Sequence, residues 1–381
     1  MKTRTTTLTT LVLLAIGGTA FAAEGKLEAK FEGKLEPFLG EPRLEIQQLF
    51  KGGRFPSIVT AVDGTVLAFW AQNEPIRLRR SNDGGATWEP EQRVGDAKTH
   101  LGAASVDEKR GDILVFQAGM FRSGDSGKTW TKDEDTVIKP NALGHRAGTH
   151  GADSGITLRQ GNHRGRLLQP ARVIPTSNAR RDWPEHYNTA LYSDDGGKSW
   201  QTSTPFPALG TGEGTLAELS DGRIYYNSRR HWAPKGENAR MRWSAYSGDG
   251  GQTWKDLSVS DVLPDGGQNR DYGLKAGLVR LPVRGRDILV FSNIVSPGGR
   301  RNGHVWASFD GGKTWPLKRQ VDKGAFAYSS LTAGRPGTPS EGWIYLLYEG
   351  SGGGRVARFN LAWLLEGEPT GDGEVPELVG W

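Results

Sequence analysis

A chain of 381 residues with 54 glycines, 13 tryptophans and no cysteine can bury a large core, but it has no disulfide or thiolate metal site to hold it. No long apolar run of period 3.6 occurs, while short β-branched and aromatic runs bounded by turn residues recur, so an all-β chain is expected. Its 48 basic and 43 acidic residues are interspersed, a balance that suits an anionic substrate and lacks the clustered charge of a nucleic-acid binder.

In chain order the first element is a leader. "MKTRTTTLTTLVLLAIGGTAFAAEG" begins with Lys2 and Arg4, runs through an apolar stretch and reaches Ala20-Phe21-Ala22, the pattern of a secretory signal peptide over residues 1–22. The apolar stretch is too short for a stable anchor. The expectation is a secreted or periplasmic protein with no membrane span after cleavage. Removing Lys2 and Arg4 leaves 48 less two basic residues against 43 acidic ones, a net +3. Residues 23–43, with charge alternation and few turn signals, read as a lead-in. Residues 44–366 contain no linker and read as one domain, and the Gly/Pro-rich residues 367–381 read as a tail.

Five segments within that domain share one pattern: "SNDGGATW" from Ser81, "SGDSGKTW" from Ser123, "SDDGGKSW" from Ser193, "SGDGGQTW" from Ser247 and "SFDGGKTW" from Ser308. The starts are 42, 70, 54 and 61 residues apart, which suits four-stranded units carrying inserted loops. The Asp can accept backbone N–H bonds within the turn, Gly can take a positive φ, and Trp can fold back as an apolar plug. A calcium loop requires alternate carboxylates converging on one ion, whereas these turns share a single Asp each. No metal or cofactor is expected.

This pattern is identified as the Asp-box (BNR repeat) of the sialidase, or neuraminidase, superfamily, which the chain resembles over nearly its whole mature length. The resemblance implies a six-bladed β-propeller whose boxes are structural turns away from the active-site face. It also implies an exo-α-sialidase type of glycoside hydrolase. A sialoside carries a carboxylate on its anomeric carbon, so arginines suit its recognition, and a tyrosine activated by a glutamate replaces a carboxylate nucleophile. "GRFPSI" matches the family's first-arginine motif at Arg54. "GEGTLAELSDGRIYYNSR" matches the segment of the catalytic glutamate and second arginine, at Glu213 and Arg229, with Glu218 a weaker match. "SPGGRRNGHVWASFDGGKTW" supplies the third arginine, Arg300 ahead of its neighbour Arg301. "FAYSSLTAG" selects Tyr328 as nucleophile, and "IYLLYEG" selects Glu349 as the partner that orients Arg54.

One family element is missing. The resemblance implies an acid/base aspartate between Arg54 and the first Asp-box, but after the strand-like "GTVLAFW" that interval holds only "AQNEP". The first Asp after Arg54 is Asp63, in a hairpin-like "VDGTV". Glu74, His150 and Asp153 are candidate substitutes, each with an ordinary structural alternative as a turn residue or loop brace. The expected partner is an acidic-sugar glycan, bound by a monomer without nucleic acid. Two other functions stay open: a hydrolase or lyase for another ulosonic or uronic acid, and a propeller that binds acidic sugars without turnover.

Overall fold

The computed structural model describes residues 31–101, 103–117, 119–234, 240–267 and 273–378. The expected leader, the start of the lead-in and the last residues of the tail lie outside them. The regular structure of the described residues is almost all β-strand, in mainly antiparallel sheets. The first sheet is Pro56–Thr60, Val66–Trp70, Gln72–Ser81 and Gln92–His100; the second is Ala103–Asp107, Asp112–Gln117, Gly119–Ser123 and Thr131–Asp133. A third is built on Ile156–Thr157, Leu167–Val173, Tyr187–Ser193 and Ser199–Thr202, with the short Val137–Ile138 added in parallel. The fourth is Thr211–Glu218, Ile224–Arg230, Met241–Ser247 and Lys255–Pro264.

An eight-stranded sheet completes the set and is divided by one long strand, Leu317–Ala333. The early part of that strand pairs with Arg301–Ser308 and the late part with Ile344–Gly350. Leu44–Lys51 then pairs with Gly353–Phe359, so a strand from the start of the domain joins strands from its end. Inner strands touch from sheet to sheet in chain order, and Leu317–Ala333 touches Pro56–Thr60. Covered on both faces, an inner strand such as Pro56–Thr60 is buried at every position, and its two polar residues, Ser57 and Thr60, are hydrogen-bonded to neighbouring inner strands.

The five repeat turns have one common place. Ser81, Ser123, Ser193, Ser247 and Ser308 each end the third strand of their group. The final group has no such turn because its third and fourth strands, Gly353–Phe359 and Leu44–Lys51, are not consecutive in the chain. In the first turn Ser81 Oγ donates to Asp83 Oδ1 at 2.8 Å and accepts from the Gly85 amide at 2.8 Å. Thr87 donates its amide and hydroxyl to Asp83 at 2.9 and 2.5 Å. Gly85 sits at φ 82°, a conformation that a Cβ disfavours. The same bonds recur at Asp125, Asp195, Asp249 and Asp310. The box tryptophans wedge against the preceding sheet: Trp130 meets Phe69, and Trp200 meets Phe116 at 5.1 Å between ring centroids.

Burial raises the Asp125 carboxyl, but bonds from Thr129 and Ser123 together outweigh it and hold the group at about 2, below its ordinary 3.8. Asp125→Ala should remove roughly 1–2 kcal/mol of hydrogen bonding and lower Tm by about 2–6 °C, leaving activity per folded molecule unchanged. For a depressed carboxyl this stabilisation is present above about pH 4 and is lost as pH falls through the folded-state value, so variant and wild-type melts should converge near pH 2. Lost activity at an unchanged Tm would contradict a purely structural box.

Candidate active site

The inner strands share one direction, so each contributes an early residue to one end of the assembly and a later residue to the other. Arg54 lies just ahead of Pro56–Thr60, Glu213 near the start of Thr211–Glu218, and Tyr328 midway along Leu317–Ala333. Two of these positions fall at breaks in strand register, between Thr211 and Gly214 and between Phe326 and Ser329. Such irregularities re-aim a side chain out of the regular alternation. Glycines at 212 and 214 let the surroundings close on Glu213: a Cβ at Gly214 would stand 2.3 Å from the Tyr226 ring.

Tyr328 is the centre of the cluster. Its hydroxyl donates to Glu213 Oε1 at 2.6 Å and accepts from Arg229 Nη1 at 3.1 Å. Arg229 Nη1 also bonds Glu213 Oε2. The Arg54 guanidinium lies 4.8 Å from the centre of the Tyr328 ring, and that of Arg300 lies 5.3 Å from it. Glu349 holds Arg54, accepting from its Nε at 3.0 Å, and its other oxygen accepts from the Phe55 amide at 3.1 Å. Phe55 has φ 66°, which is costly for a bulky residue and persists only where neighbours over-determine it. Its edge contact with the Tyr328 ring, 5.3 Å between centroids, and its bond to Glu349 supply that constraint. All six residues matched on sequence therefore meet around one phenol. The alternative third arginine, Arg301, is exposed and pairs with Ala325.

Burial raises the Glu213 carboxyl, but Arg229 and the Tyr328 hydroxyl outweigh it, and the group stays below the usual carboxylate range. At neutral pH it is an anion positioned to accept the phenolic proton. Burial lowers Arg229 and Arg54, but Glu213 and Glu349 respectively more than offset this, so both remain charged. Around the phenol the site thus offers three guanidinium groups for an anion and one carboxylate base.

The other candidates take different places. Glu218 accepts from the Arg159 and Gln160 amides at 2.6 and 2.9 Å. Burial lifts its carboxyl to about 7. It lines a cavity of about 120 Å³ at the opposite end of the inner strands, with Glu108, Arg159, Arg280 and Arg335. Glu32 of the lead-in reaches that end, pairing with Arg280 at 2.5 Å. Asp153 is 1% exposed. Its Oδ1 accepts from Ser330 Oγ at 2.6 Å and faces Lys275 Nζ at 3.6 Å, while Oδ2 accepts from Thr215 Oγ1 at 3.2 Å. That makes it a brace between inner strands. Glu74 is not in a free loop. It belongs to Gln72–Ser81, which pairs beyond Trp70 with Gln92–His100 through Gln72–His100 and Glu74–Thr99. Its carboxylate lies 3.9 Å from Arg77, over Gly53. A left-handed residue, Asn73 at φ 58°, accommodates the break in that pairing.

Three residues absent from the sequence matching also gather here. Arg172 is buried, bonds Asn178 and His186, and acts electrostatically on Glu213. His150 and His100 lie against Phe55 at 5.3 and 5.4 Å between ring centroids. No local pattern marks His100, which follows a charged strand; only its cross-strand partner Gln72, inside the "AQNEP" segment, hints at its place. Among the described residues no cluster of three or more His, Asp or Glu side chains could hold a metal ion.

An all-β chain with repeated Ser-x-Asp turns and a tyrosine–glutamate pair among arginines defines a class that comparison with known proteins makes specific. Residues 76–339 match the BNR repeat-like domain, and the chain belongs to the sialidase superfamily with BNR repeats. It is 31% identical over 378 residues to a sialidase of Micromonospora viridifaciens, covering 86% of this chain and 55% of that protein. Identity to a sialidase of Bacteroides fragilis is 26% over 335 residues, covering 73% and 57%. The chain thus spans just over half the length of these curated relatives. Among solved structures, the Hadza microbial sialidase Hz136 aligns with a TM-score of 0.64 at 25% identity, over 82% of this chain and 66% of that one.

Proposed function

We propose that the chain is a secreted, retaining exo-α-sialidase that releases terminal sialic acid, or a closely related acidic sugar, from glycans. We also propose that its sheets form six blades of one propeller, Leu44–Lys51 closing the last blade. Sheet-to-sheet contacts in chain order, and the pairing of an early strand with late ones, support that architecture. The leader-like first residues support export.

The observation that carries the catalytic reading is the 2.6 Å bond from the Tyr328 hydroxyl to Glu213 among three arginines. Arg54, Arg229 and Arg300 bind the sugar carboxylate, and Glu349 fixes Arg54 by a charge-assisted pair. Tyr328 oxygen attacks the anomeric carbon as Glu213 takes its proton, giving a tyrosyl-glycoside that water then opens with net retention. A protein that only binds acidic sugars would use the arginines and has no role for a buried phenol–carboxylate pair.

The test is hydrolysis of a nitrophenyl α-sialoside and of 3′-sialyl-lactose by the mature chain, with the first-formed anomer followed by NMR. An α-anomer appearing first supports the mechanism; cleavage of neither, with micromolar binding of free sialic acid, would replace it by a lectin. Arg54→Ala should weaken free sialic acid by ~10–100-fold in calorimetric titration, through loss of one charge-assisted contact. An unchanged Kd would remove Arg54 from the clamp.

A further inference from the structure

Expelling an alkoxide from a natural glycoside requires a proton donor, and three carboxylates of the cluster, Glu213, Glu349 and Asp153, are already hydrogen-bonded. Glu213 is held by Tyr328 and Arg229, Glu349 by Arg54 and the Phe55 amide, and Asp153 by Ser330, Thr215 and Lys275. Glu74 faces Arg77. Two imidazoles stand one aromatic ring away from Tyr328, across Phe55. His100 and His150 stand edge to face, 4.9 Å between ring centroids, and both pack on Phe55, whose ring edge meets Tyr328.

Resting on the glycosidase function proposed above, we propose that His100 and His150 act as one imidazole unit supplying the general acid and base of the reaction, His100 at the mouth and His150 beneath it. The two arrive from different sheets. His100 ends Gln92–His100 and is exposed, whereas His150 is half-buried on a loop whose next residue, Gly151, abuts Glu213. The charged and titratable groups bearing on His150 are Arg172, His100 and Glu213. Burial, Arg172 and His100 push it down to about 4, with Glu213 opposing. His150 is therefore neutral at pH 7, and His100, the exposed ring of the pair, is the member placed to meet a leaving group arriving from solvent.

In the first step the Tyr328 oxygen forms its bond to the anomeric carbon and Glu213 takes the phenolic proton. The glycosidic C–O bond breaks, and the His100 imidazolium protonates the departing oxygen. In the second step the now neutral imidazole takes a proton from water as the water oxygen bonds to the anomeric carbon. The tyrosyl C–O bond breaks, and Glu213 returns its proton to Tyr328. The imidazole ends as it began.

The experiment compares His100→Gln and His150→Gln with wild type on 3′-sialyl-lactose and a nitrophenyl α-sialoside. For the disaccharide-type substrate kcat/KM should fall ~10²–10⁴-fold. Release of nitrophenol, a good leaving group, should change less than about tenfold in its first turnover and then show a burst, because the base for water is gone. His100→Asp, which restores a proton donor, should recover part of the sialyl-lactose activity. Equal losses on both substrates, or no loss on either, in variants that melt like wild type overturns the proposal. Should a variant melt lower, a wild-type series of aryl sialosides decides. Rates nearly independent of leaving-group basicity support a proton donor, and a steep dependence overturns it. Wild type inactive on both substrates would instead overturn the glycosidase function itself, and this proposal with it.

Discussion

Tyr328→Phe should lower kcat on a nitrophenyl α-sialoside by on the order of 10³–10⁶-fold, the range seen when a nucleophile acting as part of a unit is removed. The substitution deletes one oxygen, the atom that donates to Glu213 at 2.6 Å and accepts from Arg229 at 3.1 Å. The ring stays, so the faces presented to Arg54 and Arg300 and the edge contact with Phe55 stay too. Binding of free sialic acid should therefore change less than about threefold, since the guanidinium groups that grip the carboxylate are intact. The two outcomes separate nucleophile from scaffold. Weakened binding with residual turnover near wild type would show that the phenol positions the clamp and that another group attacks the sugar.

Asp153→Ala should destabilise the fold by about 3–5 kcal/mol, because it leaves Lys275 buried and uncompensated. Both members of the pair are almost wholly enclosed, Asp153 at 1% and Lys275 at 2% exposure. Burial pushes the Asp153 carboxyl up and the Lys275 amine down, and each partner only partly offsets that push. The ion pair is held among inner strands: Lys275 donates to the Pro56 carbonyl, and Asp153 accepts from Ser330 and Thr215. These contacts join the strands beside Arg54, Tyr328 and Glu213. Urea unfolding at pH 7 measures the loss. The double variant Asp153→Ala, Lys275→Met should recover much of it, because removing both charges also removes the desolvation cost. A single-variant loss below about 1 kcal/mol would mean that water reaches Lys275 and relieves it.

Much of the fold was legible because its information is local. Each repeat turn closes on its own serine, aspartate, glycine and threonine or serine within a few residues, so five copies mark a repeated β-unit in the sequence itself. The six candidate site residues were legible through the family motifs that carry them, such as "GRFPSI" for Arg54 and "FAYSSLTAG" for Tyr328, and the structure brings them together. Even there, adjacent residues could not be separated on sequence. Arg300 and Arg301 differ only in which side of a strand end they face, and the backbone path past Phe326 puts Arg300 over Tyr328. "AQNEP" looked like a short connection, yet Gln72 and Glu74 are paired strand, because their partners His100 and Thr99 end a strand well downstream.

The sequence alone was enough for the repeat turns, the all-β class and, through the family's motifs, the six residues that meet around Tyr328. Only tertiary structure decided where Asp153, His100 and His150 sit. Asp153 and His150 are near neighbours in the chain, but one is drawn under the inner strands to Lys275 while the other is turned onto Phe55. His100 reaches the same ring from another sheet. A strand's pattern records which face is buried, but which buried or half-buried groups meet where inner strands converge is set by packing between sheets, through contacts that link distant segments of the chain.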